Sequence, residues 1–488
     1  MNKDAWREYI EYEVIKKEHL NEQDWKELIE YTQFLYESCG EYYYQEERPT
    51  WNEEEIRLKS FIGTYRFRSG NGIIIKHNEE KLESKEFQTI IKSIAEWGAM
   101  LGPPFLKALL KILSPITDEF ELTLAYSDLL LRYTETALSE YIPPIIEKRQ
   151  YKAPIPLGRI LIAPTISLMS RGQILVASQR TKLNFVSLPW LLLIRFHCEL
   201  TKMLGRLAKK FIKDNEFLSI QPVRLMNQNR VKHITFLVDE PWQNWLNLAY
   251  EVDFNNIRIL EKIRKQASTA PSISDIVTLW EAFIGRRALL SNIEEILKAG
   301  YSLKPLCKLY ELWCLKIILD VLKEYFGAYS VPDRLPGSFS FMKQVEGIGV
   351  EVLYNVLPQE SLLVKPLRQR GLEVSAKKRP DITITFSSPN KKITIIGDVK
   401  YRMLRGITDD DISRFMWYLL DYAETLEGEA LEGIIFHASS EPKIYQFVER
   451  KNPSIRIHLL CMKPNYIEKS KEQLWKIFNH IIKLLKNH

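Results

Sequence analysis

Two apolar runs near residue 390 alternate with polar positions at a period of two, which is typical of β-strands. One face of the first run carries Ile382, Ile384 and Phe386, and one face of the second carries Ile393, Ile395, Val399 and Tyr401. Between the runs, residues 387–390 form a turn cluster in which Pro389 fixes φ and Asn390 tolerates unusual backbone angles. The pattern predicts an antiparallel hairpin centred on this turn.

Three charged residues interrupt the hairpin. Asp398 and Lys400 fall on the same face of the second strand, and in a hairpin whose paired residue numbers sum to about 779 the residue opposite Asp398 is Asp381. Two buried carboxylates this close repel each other, and a divalent cation between them removes the conflict. Lys400 would stand beside the same spot, able to orient a water or to steady a phosphate oxygen. A surface hairpin with a solvated polar face is the alternative interpretation.

Residues 304–326 have the period of a helix that opens at Pro305, a residue tolerated in a first turn. Its solvated stripe consists of Lys316, Asp320, Lys323 and Glu324. Glu311 lies on the opposite, apolar side, where Lys308 is the charged neighbour. A carboxylate on a buried face needs a partner. Glu311 is therefore either an active-site acid or half of a structural ion pair.

A second helix is predicted after the hairpin, because Thr408 and Asp411 have the spacing of a capping box. Its core stripe consists of Ile412, Phe415, Met416 and Leu419. The runs GIIFHAS and IRIHLLC that follow read as strands. We expect residues 301–466 to form one domain and residues 467–488 to form an amphipathic helix. The apolar stripe of that last helix consists of Leu474, Phe478, Ile481 and Leu485.

The first 300 residues carry weaker patterns. Residues 1–60 hold 16 Asp and Glu against 8 Lys and Arg and read as an acidic helical segment built around Trp6, Trp25 and Trp51. Residues 61–300 read as a mixed α/β region: strands, a helical stretch, strands again at residues 153–183, and helices beyond residue 187. We therefore expect an α+β, multidomain protein with a mainly helical amino-terminal region that also contains short strands.

Composition excludes several classes of protein. With 488 residues, of which 45% are hydrophobic, the chain can bury the cores of roughly two to four domains. It has no apolar run of about eighteen residues and no features of a signal peptide, so we expect a cytoplasmic protein. Its five cysteines include no CxxC pair, which indicates neither a zinc site nor a disulfide framework. No P-loop sequence occurs, so the chain carries no nucleotide-driven motor of its own.

The hairpin resembles the PD-(D/E)XK nuclease motif, written here as RPD at residues 379–381 and DVK at residues 398–400. The sequence LYELWC around Glu311 and the segment PLGRI at residues 156–160 are similar to McrC-like proteins, the nuclease subunits of McrBC-type 5-methylcytosine restriction systems. In that family the helix after the hairpin has a pattern similar to DLYQMLAY, which sets Asp411 at its start and Tyr418 at its end. Arg414 stands where the family usually has Gln, and Arg is itself a phosphate ligand.

This resemblance implies a restriction-endonuclease-like αβββαβ core, a mixed sheet flanked by helices, that hydrolyses DNA phosphodiester bonds with Mg²⁺, for which Mn²⁺ substitutes. The catalytic residues that it implies are Asp381, Asp398, Lys400 and Glu311. The metal ligands that it implies are Asp381, Asp398, the Val399 carbonyl and Glu311. The nucleic-acid-binding residues that we expect are Arg379, Arg402, Arg414 and Tyr418. A basic approach to the hairpin consists of Lys365, Arg368, Arg370, Lys377, Lys378 and Arg379.

The same resemblance implies two partners, DNA and a separate AAA+ GTPase resembling McrB, which would assemble with the first 300 residues and move DNA to the nuclease. Two alternatives stay open. One is a non-catalytic nucleic-acid-binding or assembly subunit that retains a nuclease fold. The other is an RNA-directed nuclease of the same superfamily, because metal-assisted hydrolysis acts on either backbone.

Overall fold

The structure is a computed structural model. It describes residues 6–39, 43, 47–101, 105, 118–140, 145–156, 159–184, 186–212, 220–240, 242–266, 270–285, 303–332, 335–342, 344–345, 347–356, 379–403, 406–426, 429–439, 445–449 and 454–487. The chain separates into two compact units. Unit 1 combines Met1–Leu122, Phe211–Arg224 and Ala288–His488, and unit 2 combines Thr123–Lys210 and Leu225–Arg287.

The helices of the described residues are distributed over the whole chain. They are α1 (Glu22–Ser38), α2 (Ser84–Leu101), α3 (Asp118–Ser139), α4 (Ile162–Met169), α5 (Leu188–Ile212), α6 (Gln221–Val238), α7 (Trp242–Glu251), α8 (Ile257–Gln266), α9 (Pro271–Ile284), α10 (Leu306–Phe326), α11 (Asp409–Tyr422) and α12 (Ile467–Asn487), with short 3₁₀ turns at Lys17–His19 and Pro464–Tyr466. No helix in these ranges is long and apolar enough to cross a membrane.

The strands of the described residues form four sheets. They are β1 (Trp6–Ile10), β2 (Val14–Lys16), β3 (Thr50–Trp51), β4 (Glu55–Arg57), β5 (Phe61–Arg66), β6 (Gly72–Lys76), β7 (Ile145–Ala153), β8 (Arg159–Ile160), β9 (Val176–Asn184), β10 (Lys304–Pro305), β11 (Gly337–Ser340), β12 (Gly349–Tyr354), β13 (Ile382–Ser387), β14 (Lys392–Lys400), β15 (Leu431–His437), β16 (Tyr445–Glu449) and β17 (Ile455–Cys461). The protein is therefore a mixed helix-and-sheet, multidomain-like chain, as its sequence predicts.

The largest sheet belongs to unit 1 and has seven strands in the order β11-β12-β13-β14-β15-β17-β16. Strands β11 to β14 pair antiparallel, whereas β15 pairs parallel with both β14 and β17. The predicted hairpin and its register are confirmed, because Ile382 pairs with Gly397 and Ser387 with Lys392. From α10 to β15 the elements follow in the order helix, four strands, helix and strand, and β11 lies at the edge of the sheet.

Helices cover both faces of this sheet. On one face Phe386 of β13 lies against Phe326 of α10 and Phe478 of α12, with ring centroids 6.3 Å and 5.6 Å away. On the other face α11 packs its predicted stripe against Ile396 and the apolar residues of β15 and β17. This contact is so close that a Cβ on Gly433 would lie 2.8 Å from side-chain atoms of Phe415 and Leu419. Between these helices, polar residues such as Thr383, Thr394 and Asp398 are buried.

The cap of one predicted helix and the apolar stripe of another are also confirmed. Thr408 caps α11 and forms a capping box with Asp411, in which each side chain accepts a hydrogen bond from the other residue's backbone N–H. In the carboxy-terminal helix α12, the predicted stripe of Leu474, Phe478, Ile481 and Leu485 is buried. Local sequence patterns sufficed in both cases, because a cap and an amphipathic stripe depend on residues within a few positions of one another.

The amino-terminal part of unit 1 contains more strand than its sequence pattern predicts. Residues 1–60, expected to be helical, form α1 together with β1 to β4 in the described positions. Strand β1 pairs parallel with β6, and β5 pairs with β10 directly before α10. Both pairings lie within unit 1 and join segments that are far apart in the sequence. Strands of two to six residues carry too little periodicity to indicate partners so far along the chain.

Unit 2 consists mainly of helices, with one small sheet in the order β7-β9-β8. The helical pattern beyond residue 187 is confirmed by α5 to α9, and residues 286–302 lie outside the described residues. The strand pattern at residues 153–183 is correct for β8 and β9 but wrong for Ile162–Met169, which is helix α4. Pro164 lies in the first turn of this helix, where the missing backbone N–H removes no hydrogen bond.

A chain of buried hydrogen bonds crosses the helices of unit 2. The Ser127 hydroxyl lies 2.8 Å from Nε2 of His233, whose Nδ1 lies 2.8 Å from Nδ1 of His197. Nε2 of His197 lies 2.9 Å from the Thr134 hydroxyl, which donates a 2.7 Å bond to the Leu130 carbonyl. Burial lowers the pKa of both histidines, to about 4 for His233. A neighbouring group lowers each pKa further: His233 acts on His197, and Lys232 acts on His233.

Candidate active site

Three polar residues lie side by side where β12 ends and β13 begins, next to the last residues of β14. Tyr354 pairs with Ile382, and Ile382 pairs with Gly397, so the next residues across the sheet are Asn355, Asp381 and Asp398. The Asn355 backbone N–H donates a 2.8 Å bond to the Asp381 carbonyl. The Val399 backbone N–H donates a 2.8 Å bond to Oδ2 of Asp381. The Asp381 carboxylate is therefore held against the backbone of the Asp398 strand.

The structure brings Lys400 to the same place. Its Nζ lies 2.7 Å from Oδ2 of Asp398. Both aspartates are only 3% exposed, and Lys400 is 9% exposed. The alternative of a surface hairpin with a solvated polar face is therefore wrong, because α11 covers that face. These three residues, predicted to meet from the hairpin register alone, form one buried cluster.

Glu311 approaches this cluster from α10 and is almost fully buried. Its Oε1 accepts a 2.8 Å bond from Nζ of Lys308. Its Oε2 accepts bonds of 3.2 Å from the Tyr354 hydroxyl and 3.3 Å from the Asn355 side-chain amide. The core ion pair with Lys308, one of the two expected roles, is present. Through Asn355 the same carboxylate also contacts the row of residues at the strand ends.

Burial and like charges raise the pKa of Asp381 well above its usual value. Desolvation is the largest cause, the charges of Glu311 and Asp398 add to it, and Lys400 and Lys308 oppose it. The pKa of Glu311 is also raised, first by burial, with the charge of Lys308 opposing. Burial lowers the pKa of Lys400, but the charges of Asp398 and Asp381 outweigh burial and raise it. The surroundings thus make Asp381 and Glu311 harder to ionise and Lys400 harder to deprotonate than in water.

The donor set suits a hard divalent cation. Asp381 and Asp398 offer carboxylate oxygens from adjacent strands, and Val399 offers a carbonyl beside them. In the residues that the structure describes, no group of three or more His, Cys, Asp or Glu side chains is placed to hold a metal ion. Mg²⁺, however, binds through one or two carboxylates and keeps several waters. The aspartate pair fits that requirement, whereas the hydrogen bonds from Lys308, Tyr354 and Asn355 engage both oxygens of Glu311.

Asp411 gathers the basic residues on the flank of the cluster. It accepts a 2.9 Å bond from Arg402 Nη1 and a 3.3 Å bond from Arg414 Nη2, and its Oδ1 lies 3.9 Å from Lys400 Nζ. Partial burial raises the pKa of Asp411, but hydrogen bonds from Thr408 and the charges of Lys400 and Arg402 outweigh burial, and the pKa is lowered. The helix cap thus also fixes two arginines beside Lys400.

The remaining predicted site residues lie close to this cluster in the chain or in space. Tyr418 is buried on α11, and its pKa is raised first by burial and then by the charges of Asp381 and Asp398. Arg379 precedes Asp381 by two residues. The basic approach at residues 365–378 lies outside the described residues.

Sequence reasoning missed Tyr354 and Asn355. Asn355 has a positive φ of 50° and follows the last residue of β12. Its place beside Asp381 depends on the pairing of β12 with β13, which are separated by a long connection rather than by a tight turn. A hairpin register can be read from its turn, but a register across a long connection cannot. No sequence signal therefore marked these two residues.

Comparisons with known proteins add the following. No family model and no curated protein matches the chain. A chain in a refined half-complex of Thermococcus gammatolerans McrB AAA+ hexamers with bound McrC is 10% identical, with 98% of this chain and 100% of that chain covered and a TM-score of 0.38. A chain in a cryo-EM structure of the Thermococcus gammatolerans McrBC complex is 10% identical, with 58% and 86% covered and a TM-score of 0.20. At these TM-scores the likeness carries no argument about function.

Proposed function

We propose that this protein is a Mg²⁺-dependent DNA endonuclease of the PD-(D/E)XK type. The observation that carries the proposal is the buried cluster of Asp381, Asp398 and Lys400 at the ends of two adjacent strands. Like-charged carboxylates are costly in a protein interior unless a cation lies between them. The order of acid, acid and lysine in the motif RPD–DVK supports hydrolysis of a phosphodiester bond.

Asp381 and Asp398 would hold the cation, with the Val399 carbonyl as a further oxygen. When bound, Mg²⁺ supplies positive charge to a phosphate oxygen and acidity to the attacking water. The Val399 N–H already fixes Oδ2 of Asp381, so Oδ1 would be the oxygen that Asp381 offers to the cation. Lys400, now paired with Asp398, would orient the water and stabilise negative charge on the phosphate in the transition state.

Glu311, next to the aspartate pair, would bind a second ion or a metal-bound water. Its hydrogen bonds to Tyr354 and Asn355 connect it to the strand ends, and its charge already contributes to the raised pKa of Asp381. A negative charge at this distance favours cation binding without a direct bond to the cation. Glu311 therefore belongs to the proposed site in either role.

The DNA backbone would approach along the basic flank. Arg402 and Arg414 are held by Asp411 on the side of Lys400, and Arg379 lies two residues before Asp381. Arginine contacts phosphate oxygens through two parallel N–H donors. Tyr418 would line the same side, next to the carboxylates. These contacts position the backbone without reading its sequence.

We further propose that the protein is the cytoplasmic nuclease subunit of a restriction or phage-defence complex. Its sequence has no P-loop, so a separate AAA+ GTPase resembling McrB would move DNA to the nuclease site. The support is the similarity of LYELWC and PLGRI to McrC-like subunits. Co-purification from native cells, followed by identification of any P-loop GTPase, tests this partner directly.

The proposed activity is tested with supercoiled plasmid DNA and the full chain, alone and with its co-purified partner. We expect cutting with Mg²⁺ or Mn²⁺ and none with EDTA. Cutting at an undiminished rate in EDTA would exclude the metal mechanism. DNA binding without cutting, in the presence of cation and partner, would favour the non-catalytic subunit, and preferential cutting of an RNA substrate would favour the RNA-directed enzyme.

A further inference from the structure

Lys308 is fully buried in the first turn of α10, yet it carries a charge. Its Nζ lies 2.8 Å from Oε1 of Glu311 and 3.0 Å from Oε2 of Glu47. The same ammonium group lies 5.7 Å from the ring centroid of Tyr43. Two carboxylates therefore share one lysine, and the triad keeps one negative charge when all three groups are ionised.

Glu47 comes from the amino-terminal part of unit 1, far from α10 in the sequence. This part contacts the start of α10 at further points. The Leu306 backbone N–H donates a 2.9 Å bond to the Ser60 carbonyl, and the Ser60 hydroxyl lies 2.9 Å from Sγ of Cys307. Strand β5 pairs with β10 immediately before the helix. The amino-terminal part thus fixes the turn of α10 that carries Lys308.

One residue, Asn355, connects this triad to the proposed metal ligand Asp381. Glu311, a member of the triad, accepts the hydrogen bond from Asn355, which is the neighbour of Asp381 in the sheet. The charges of the triad reach the strand ends, because Glu311 raises the pKa of Asp381 and Lys308 lowers it.

We propose that Glu47 and Lys308 are positioning residues of the nuclease site, an inference that rests on the proposed function. Glu47 holds Lys308 so that Lys308 does not fully neutralise Glu311. Lys308 in turn fixes the Glu311 carboxylate toward Tyr354 and Asn355. The amino-terminal part of unit 1 thereby sets the cation affinity of the strand ends, although it contributes no ligand.

The test is a calorimetric titration of the full chain with Mn²⁺ in the absence of DNA. Glu47→Gln keeps the shape of the side chain and removes its charge, and we expect cation affinity to fall by about tenfold. Glu47→Asp keeps the charge on a shorter side chain and should recover part of this loss. The matched control is Glu86→Gln, which breaks another buried ion pair, at 3.0 Å from Lys463, without contact to Glu311.

The outcomes separate the two proposals. Weaker binding in Glu47→Gln, partial recovery in Glu47→Asp and unchanged binding in Glu86→Gln support the inference. Wild-type affinity in Glu47→Gln, or an equal loss in Glu86→Gln, overturns the inference and leaves the nuclease proposal intact. If Glu47→Gln does not fold, Glu47→Asp is compared with the wild type: weaker Mn²⁺ binding supports the inference, and equal binding overturns it. A wild-type chain that binds no Mn²⁺ overturns both proposals.

Discussion

The two units of this protein bury polar side chains in opposite ways. In unit 2, Ser127, His233, His197 and Thr134 form a hydrogen-bonded chain without any net charge. In unit 1, Asp381 and Asp398 lie on neighbouring strands, and the ammonium group of Lys400 is 2.7 Å from Asp398. The first arrangement completes its own hydrogen bonds, whereas the second buries two carboxylates beside one ammonium group.

The proton positions in the unit 2 chain follow from one bond. Because the Thr134 hydroxyl donates to the Leu130 carbonyl, it accepts from Nε2–H of His197. Nδ1 of His197 then accepts from Nδ1–H of His233, and Nε2 of His233 accepts from the Ser127 hydroxyl. His233, His197 and the Thr134 hydroxyl each accept one hydrogen bond and donate one, so both histidines are satisfied in their neutral form. Such a network needs no ligand and is structural.

While both aspartates of unit 1 are ionised, neither has a proton to donate, so they cannot hydrogen-bond to each other as the histidines do. The raised pKa of Asp381 reports this conflict: burial and the charges of Glu311 and Asp398 outweigh Lys400 and Lys308. The comparison teaches that burial of polar groups does not by itself indicate a site. Two like charges buried together on neighbouring strands, one of them with a raised pKa, do.

The largest effect that we expect comes from Asp398→Asn. Cleavage of plasmid DNA should fall by at least about a thousandfold, because the cation loses one carboxylate. The metal-free stability should change little, since less repulsion with Asp381 offsets the lost pair with Lys400. Nicking rates and thermal melting, with and without Mg²⁺, measure both quantities. Wild-type cleavage by this variant would mean that the carboxylate pair is structural, like the histidine pair.

Lys400→Ala should reduce cleavage nearly as much, by about a thousandfold, because the charge that stabilises the transition state is lost. The variant should still bind Mn²⁺, since Lys400 ligates nothing, and affinity should rise because one competing positive charge is gone. Calorimetry beside the nicking assay checks both expectations. Loss of Mn²⁺ binding together with cleavage would show that the lysine holds the site together rather than acting on the substrate.

Glu311→Gln should lower cleavage by about ten- to a hundredfold, a smaller effect because Glu311 acts on the aspartates through Asn355. The amide keeps the shape of the side chain, and DNA affinity measured with Ca²⁺ should stay near that of the wild type. Circular dichroism and melting provide the control. An unfolded variant would instead assign Glu311 to the core ion pair with Lys308 alone.

The smallest effect concerns the pH dependence of unit 2. The pKa of His233 is lowered from 6.5 to about 4, first by burial and then by the charge of Lys232, so the unfolded chain binds more protons between these values. Stability is therefore complete above pH 6.5 and is lost as pH falls, by about 2 kcal/mol at pH 5 for this one group. Urea unfolding of the wild type and His233→Gln measures the slope. An equal slope in both would contradict the neutral network.

Sequence periodicity determined the hairpin of β13 and β14, and with it the meeting of Asp381, Asp398 and Lys400. It also determined the cap of α11 and the buried stripe of α12. All three depend on residues close together in the chain, where a turn or a cap leaves one register. For such elements the local pattern is sufficient.

Only the tertiary structure decided the rest of the site and the extent of the units. The pairing of β1 with β6 and of β5 with β10 joins the amino-terminal residues to α10, and it brings Glu47 to Lys308. The partners of Glu311 at Tyr354 and Asn355, and the meeting of His197 with His233, also cross long connections. Contacts of this kind are selected by the packing of whole elements, so no short stretch of sequence encodes them.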